Sequence, residues 1–554
     1  MTRRDSLLLW AALAGLLSAA GCAPDRAAQA GRPAVLRLAG RTDVQSLDPA
    51  IAYDLVSWPL VRLLYQGLLD YDDGINLVPW LAESLPTVSP DGRTLVFRIR
   101  AGVRFSNGRE LEAADFAYTL ERLLNPGTRS PGQGFFQNIL GAAEYVAARE
   151  QETEASRGTQ EPHHVRGLEA PDRRTLRIRL VQPDLAFLHV LAMPFSYVVG
   201  REGVEAAGED FFRRPLGTGP FVLTEWTRSA RLRFARNPRS WEPPAGLEGV
   251  DVQIGPDPLL QMMMFERGEL DHLTDIATAD FARVMGNPRL RRCVVVSPSN
   301  AIRYVALNTE LPPFTDRRVR QALNYAVDRE RLLNIVNGRG VPARGVLPPG
   351  MPGYNAGLPD LGKDPARARA LLRAAGHAEG FSTPLWVNVD DQLAEKLAEA
   401  LQEELAEIGV RVELKPVAFA IFNEAVARRR TVPMAMSAWS QDFPDPSNFL
   451  DVLLNGDKLT DEHGNNHAFY SNPEVNALLR RAAGETELAS RFALYREAEQ
   501  RVVEDAPWIF LLHPTLYVLR QPWIGGVKPH AVWPARYERW TWGGLERAEE
   551  GRVP

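Results

Sequence analysis

From residue 35 onward, short apolar runs alternate with amphipathic stretches, the pattern of a mixed α/β protein. VLRLAG (35–40) alternates like a half-buried strand, and beyond SLDPA the stretch LVSWPLVRLLYQGLLDY (55–71) carries apolar residues at helical spacing. LPTV and LVFRIR read as strands joined across the turn sequence SPDGRT, and Asn107-Gly108 marks a further turn. ELEAADFAYTLERLLNP is a helix ended by its proline. TLRIRL and FVLTEW are strands, with GTGPF (217–221) as a tight turn between them. A second αβ-rich half begins near residue 298 with the helix RRVRQALNYAVDRERLLNIV. There LWVNV, LAEKLAEALQEELAEIG and VRVELKPV make a βαβ unit, and VPMAMSAW is a buried strand. WIFLLHPTLYVLRQ reads as a strand pair that returns the chain to a sheet.

Length changes this picture, because 554 residues exceed what one core holds and call for two or three domains. The net charge of -5 is spread over mixed acidic and basic residues with no basic face, so no nucleic-acid partner is expected. Arg428-Arg429-Arg430 reads as a solvated helix end, and 149–165, charged and poor in apolar residues, as an exposed insertion. The first 22 residues stand apart: Arg3 and Arg4, the apolar run LLLWAALAGLL, then SAAG and Cys22. The apolar run is too short for a permanent membrane span. Gly21-Cys22 resembles a bacterial lipobox, in which the cysteine is lipidated and becomes the new N-terminus, although Ala19 stands where leucine is commonest. Arg3-Arg4 also hints at twin-arginine export, a hint weakened by Ser6. Residues 23–34 then read as a tether. With Cys293 the only other cysteine, the mature chain forms no intrachain disulfide and depends on a large core.

Candidate chemistry is sparse. No P-loop, dinucleotide fingerprint, GxSxG elbow or HExxH is present. DYDDG (70–74) fails as a calcium loop because its glycine comes one place early and Leu81 stands where glutamate is needed. His463 and His467 lie in a glycine- and asparagine-containing loop, and His163-His164 in the polar insertion, so no metal or cofactor is expected. WSQDFPDPSNFL (439–450) is different: two prolines exclude a helix interior, and Asp442 and Asp445 follow a buried strand. Asp442 reads as a catalytic acid, a metal ligand, a ligand anchor or a turn residue, whereas Asp445 precedes Pro446 and closes the turn.

An ordered set of stretches resembles the family 5 extracellular solute-binding proteins, the peptide, oligopeptide and nickel receptors of ABC importers. They are SLDPA…LYQGLLDYD, LAESLPTVSPDGRTLVFRIRAGVRFSNGRELEAADFAYTLERLLNP, RRPLGTGPFVLTEW, RNPRSW and RGELD in the first half. ALNTELPPFTDRRVRQALNYAVDRERLLNIV, VPARGVLPP and WSQDFPDPSNFL follow, so the resemblance runs from about residue 35 to 545.

The resemblance implies a two-lobed periplasmic-binding-protein fold (type II, cluster C) with an additional α+β domain. Lobe I would comprise 35–72, 214–298 and 511–545, the appended domain II 73–213, lobe III 299–510, and 546–554 a tail. Ligand would bind between lobes I and III, which close by hinge motion at segments near 298 and 510. The expected function is a peptide receptor, not an enzyme: an exported monomer, lipid-anchored at Cys22 in the periplasm or on the outer face of the cell membrane, delivering ligand to ABC permease subunits. In peptide-binding members the aspartate at Asp442 pairs with the ligand's α-ammonium, and the backbone at Ala438 and Trp439 pairs with the peptide as a strand. Ser440 completes that strand, Tyr53 and Tyr304 fall near the family cleft as lining or as packing residues, and Arg303, beside the domain crossing, is a candidate to grip the ligand's carboxylate from a different wall. Met436 stands where oligopeptide receptors carry arginine, and VDDQLAEK lacks the arginine of dipeptide receptors. Both carboxylate clamps are therefore missing, which disfavours a strict dipeptide receptor. The alternatives are an oligosaccharide, opine or nickel/metallophore receptor and, from a different class, a carboxylate-based hydrolase.

Overall fold

The computed structural model describes residues 33–151, 164–297, 299–462 and 464–543. The signal segment with Cys22, the tether, His163, His463 and the tail from 546 lie outside the described residues.

Val35–Gly40 forms as expected and runs parallel to Gly249–Ile254, which continues antiparallel into Arg231–Arg236 and Phe221–Thr227. Its alternation buries Leu36 and Leu38 while the residues between them stay partly exposed. A six-stranded mixed sheet orders Gly340–Pro342, Trp508–Pro514, Ala301–Leu307, Met434–Ser440, Phe381–Asn388 and Val410–Val417. The expected βαβ unit is its parallel edge: Phe381–Asn388 pairs with Val410–Val417 across the helix Gln392–Ala406. Asp391 caps that helix by accepting from the Leu393 and Ala394 N–H groups, and Leu397, Leu401 and Leu405, four residues apart, are buried. Both faces of the sheet are covered, with Val305, Leu307 and Met436 in one hydrophobic layer and Ile302, Tyr304 and Ala306 in the other. The LPTV–LVFRIR hairpin forms and joins Thr175–Arg179 and Leu168–Asp172 in a separate four-stranded sheet. This sheet shares a continuous core with the first one.

Three expected elements differ. Only Ser57–Leu64 of the 55–71 stretch is helical, and Leu69–Tyr71 is a strand paired with Leu77–Pro79. Tyr65 is already extended, and a side chain at Gly67 would meet the Tyr197 ring at 2.9 Å, so the chain leaves the helix there. The 317–336 helix is two helices, Arg317–Ala326 and Arg329–Ile335, because Asp328 caps the second through the Arg331 N–H. WIFLLHPTLYVLRQ is not a self-paired hairpin. Trp508–Pro514 belongs to the six-stranded sheet, whereas Leu516–Arg520 pairs with Val294–Ser297 in a three-stranded one. Only Thr515 separates the two strands, too little to turn the chain back, so it runs on from one sheet to the next.

Candidate functional site

Met434–Ser440 lies antiparallel to Ala301–Leu307, with Arg303 opposite Ala438 and Tyr304 opposite Ser437. On its other side Phe381–Asn388 pairs only with Met434 and Ala435, so Met436–Ser440 has an edge without a strand partner among the described residues. Alternation leaves Ala438 and Ser440 exposed and turns Trp439 back against the Ile302 and Tyr304 layer.

Beyond the strand, Gln441 is held by Asn300: its N–H donates to the Asn300 carbonyl at 3.0 Å, and its side chain accepts from Asn300 Nδ2 at 3.0 Å. Its own Nε2 reaches the carbonyl of Ala531 at 2.5 Å. The prolines then shape the turn, and the helix Ser447–Leu454 begins immediately after Pro446. Its buried Asn448 folds back over the turn, accepting from the Asp442 N–H at 2.9 Å and donating through Nδ2 to Asp442 Oδ2 at 3.0 Å. Trp439 Nε1 donates to the same Asn448 oxygen at 3.3 Å.

Asp442 is 6% exposed, and its Oδ1 accepts from Tyr53 Oη at 2.9 Å. Tyr53 comes from the loop between Val35–Gly40 and Ser57–Leu64, so this hydrogen bond joins the two large sheets' halves of the molecule. No ion pair to Asp442 is found among the described residues. Burial lifts its carboxyl from 3.8 to about 6, against the opposing hydrogen bonds from Asn448 and Tyr53. Burial, then the charge of Asp442 and the bond to it, push the Tyr53 phenol well up.

Asp445, three residues on, is the opposite case. Arg491 grips it through Nη1 at 2.5 Å and Nη2 at 2.9 Å, and Ser447 donates through N–H and hydroxyl. Burial would raise this carboxyl, but the Arg491 bonds and charge hold it below the ordinary carboxylate range. The two aspartates therefore do not form an acid/base pair facing a shared substrate.

The remaining candidates separate. Tyr304 is fully buried and stacks on Trp508, centroids 3.7 Å apart, as a packing residue of its layer. Arg303 Nη1 donates to Asp391 Oδ2 at 2.7 Å, so its charge is already matched by the residue that caps Gln392–Ala406. Tyr53 and Asp442 are brought together, with Ala438, Trp439 and Ser440 one strand-end away. Sequence reasoning missed Asn448, whose signal was its place in the first helical turn after Pro446 within the quoted motif, and Arg491, which nothing near the motif announces. Among the described residues no group of three or more His, Cys, Asp or Glu is placed to hold a metal, and no helix is long and apolar enough to cross a membrane.

Residues 76–461 match the family model described as "Bacterial extracellular solute-binding proteins, family 5 Middle". The glutathione-binding protein GsiB of Salmonella typhimurium is 30% identical over 511 residues, covering 91% of this chain and 92% of that protein. Heme-binding protein A of Haemophilus influenzae is 29% identical over 481 residues, 84% of each. Among solved structures, the clavulanic acid biosynthesis oligopeptide binding protein 2 superposes with a TM-score of 0.83 at 27% identity, covering 93% of this chain and 96% of that one.

Proposed function

This chain belongs to the family 5 bacterial extracellular solute-binding proteins, and we propose that it captures peptides by their α-ammonium at Asp442 for delivery to an ABC permease. The observation that carries the reading is the buried Asp442 carboxylate with no cation partner among the described residues, while its neighbour Asp445 is fully paired. A buried carboxylate needs a counter-charge, and here the ligand supplies it. The open edge of Met436–Ser440 supports an extended peptide as the occupant, because main-chain groups there can add one more strand. Glutathione, named for one relative, falls within the same chemistry, being itself a peptide with an α-ammonium.

In this reading the lobes are joined at two crossings, one between the strands Val294–Ser297 and Ala301–Leu307 and the other at Thr515 rather than 510, since Trp508–Pro514 pairs wholly within the six-stranded sheet. The Tyr53–Asp442 bond spans the closed cleft, and an incoming ammonium competes with it for Oδ1. Export, a lipid anchor at Cys22 and a monomeric receptor complete the proposal. Neither aspartate of the motif is assigned a catalytic role, because Asp445 is committed to Arg491.

Native mass spectrometry of the purified receptor tests this. Co-purified peptides of mixed sequence are expected; finding only sugars or a metal complex overturns it.

A further inference from the structure

A cavity of about 560 Å³ opens between the appended domain and the far side of the six-stranded half. It lies behind the site, separated from Asp442 by a row of packed rings: Tyr53 tilted on Phe195, Phe195 stacked on Phe135, and Phe135 edge-on to Phe443. Its volume falls within the roughly 300–1,000 Å³ typical of ligand pockets. Phe135, Ala186 and Val190 form apolar wall on one side, Phe443, Val452 and Leu479 on the other.

Every cation lining the cavity is already matched. Arg491 holds Asp445, Lys458 holds Asp451 and Arg480 holds Asp457. Asp184 is the carboxylate left over. Its Oδ1 accepts from the Ala186 N–H at 2.9 Å, and no ion pair to it is found among the described residues. Burial raises its carboxyl above the ordinary value, and Asp445 and Asp451 add to this against the Ala186 N–H and Arg491. The cavity thus sets two apolar walls within a polar, mostly charge-matched lining, and Asp184 is its carboxylate without an ion pair among the described residues, an arrangement complementary to a cation with an apolar body.

We propose that this cavity is a second binding pocket, distinct from the Asp442 cleft, that takes an arylalkyl- or alkylammonium group with its charge on Asp184 and its body against Phe135 and Phe443. The same chemistry is offered by a free organic ammonium and by a lysyl side chain of a peptide. An occupant touches both the appended domain and the six-stranded half, so it favours the arrangement in which they meet.

The probe is 4-bromophenethylammonium, followed by calorimetry and by bromine anomalous diffraction from soaked crystals. The expected result is an anomalous peak between Asp184 and Phe443, with Asp184→Asn weakening binding about 10- to 100-fold, the span of one lost charge-assisted hydrogen bond. Asp442→Asn is expected to leave probe affinity within about twofold. Ala483→Phe, which fills the chamber without removing charge, should also weaken the probe. A peptide whose lysine outperforms norleucine in the unsubstituted protein, but not in Asp184→Asn, assigns the pocket to the bound peptide. Probe binding without a lysine preference assigns it to a free cation. A probe insensitive to Asp184→Asn, or lost only with Asp442→Asn, overturns the proposal and leaves the peptide reading standing.

Discussion

Acidifying the medium acts on ligand capture through one group. Burial holds the Asp442 carboxyl at about 6 in the unliganded protein, and only the ionised form can pair with an ammonium. At about pH 5 roughly one carboxyl in eleven is ionised, so affinity for an amine-bearing peptide falls about tenfold from its value at about pH 7, or ~1.4 kcal/mol. Below about pH 6 the logarithm of Kd should change by about one for each pH step, level off near pH 7, and weaken again above about pH 8 as the peptide's α-ammonium loses its proton. Calorimetry in paired buffers of different ionisation heat provides an independent measure, since capture should release about 0.9 proton per ligand near pH 5 and almost none near pH 7, below the range in which a peptide's own α-ammonium titrates. An affinity flat across this range, or proton uptake on binding, would refute the assignment of Asp442 as the ammonium anchor.

The same shift has a consequence for stability, with a definite sign. A carboxyl raised on folding stabilises the native state below its unfolded value and loses that contribution as pH rises through the folded one. Moving from 3.8 to about 6 corresponds to about 3 kcal/mol, the cost of leaving Asp442 ionised and unpaired in the closed, empty protein. Asp442→Asn removes that cost, so the empty variant should resist urea better than the parent by up to about 3 kcal/mol above pH 6, with the advantage gone below about pH 4. It should lose peptide affinity at the same time. A variant no more stable at neutral pH would show that Asp442 already has a counter-charge in the empty protein.

Three further outcomes follow from neighbouring contacts. Tyr53→Phe deletes the bond that closes over Asp442, so small-angle scattering should find the empty variant more open while peptide affinity is retained or modestly improved. Arg491→Ala strands the buried Asp445 carboxylate and should cost about 3–5 kcal/mol of stability, read from urea unfolding; a loss below about 1 kcal/mol would contradict a closed, dry pair. With Arg303 neutralised by Asp391 and Met436 buried in a hydrophobic layer, a peptide and its C-terminal amide should bind equally; a tenfold preference for the free acid would mean that Arg303 is released on binding.

The elements that were legible in the sequence are those decided locally. Val35–Gly40 alternates, Gln392–Ala406 places leucines four apart behind an aspartate cap, and SPDGRT carries its own turn chemistry. What failed was decided by tertiary contact. Nothing between Leu64 and Leu69 marks a switch from helix to strand except Gly67, and its reason is a tyrosine 130 residues away. The apolar run 508–521 is the same on either side of Thr515, yet its two halves serve different sheets, a division made by their partners rather than by their composition. Tyr304 looked cleft-facing by position, but strand alternation turns it into the layer beneath.

The turn itself argues why one aspartate is stable and the other functional. Asp442 and Asp445 are equally buried and both rest on the start of Ser447–Leu454, so burial alone does not distinguish them. The difference is the source of the counter-charge. Asp445 receives Arg491 from within the six-stranded half, so that pair needs no contact from the half that carries Tyr53. Asp442 receives only uncharged donors, one from its own turn and one, Tyr53, from across the cleft. In the proposed reading its surroundings lack only a cation, which the ligand brings, and the energy withheld from the empty protein becomes available to the ligand-bound one. A second arginine beside Asp442 would stabilise the fold and remove the reason to bind. Arg303 is tied to Asp391 and position 436 is given to the core, so in the proposed reading neither grips the ligand's carboxylate and selection rests on the amine end.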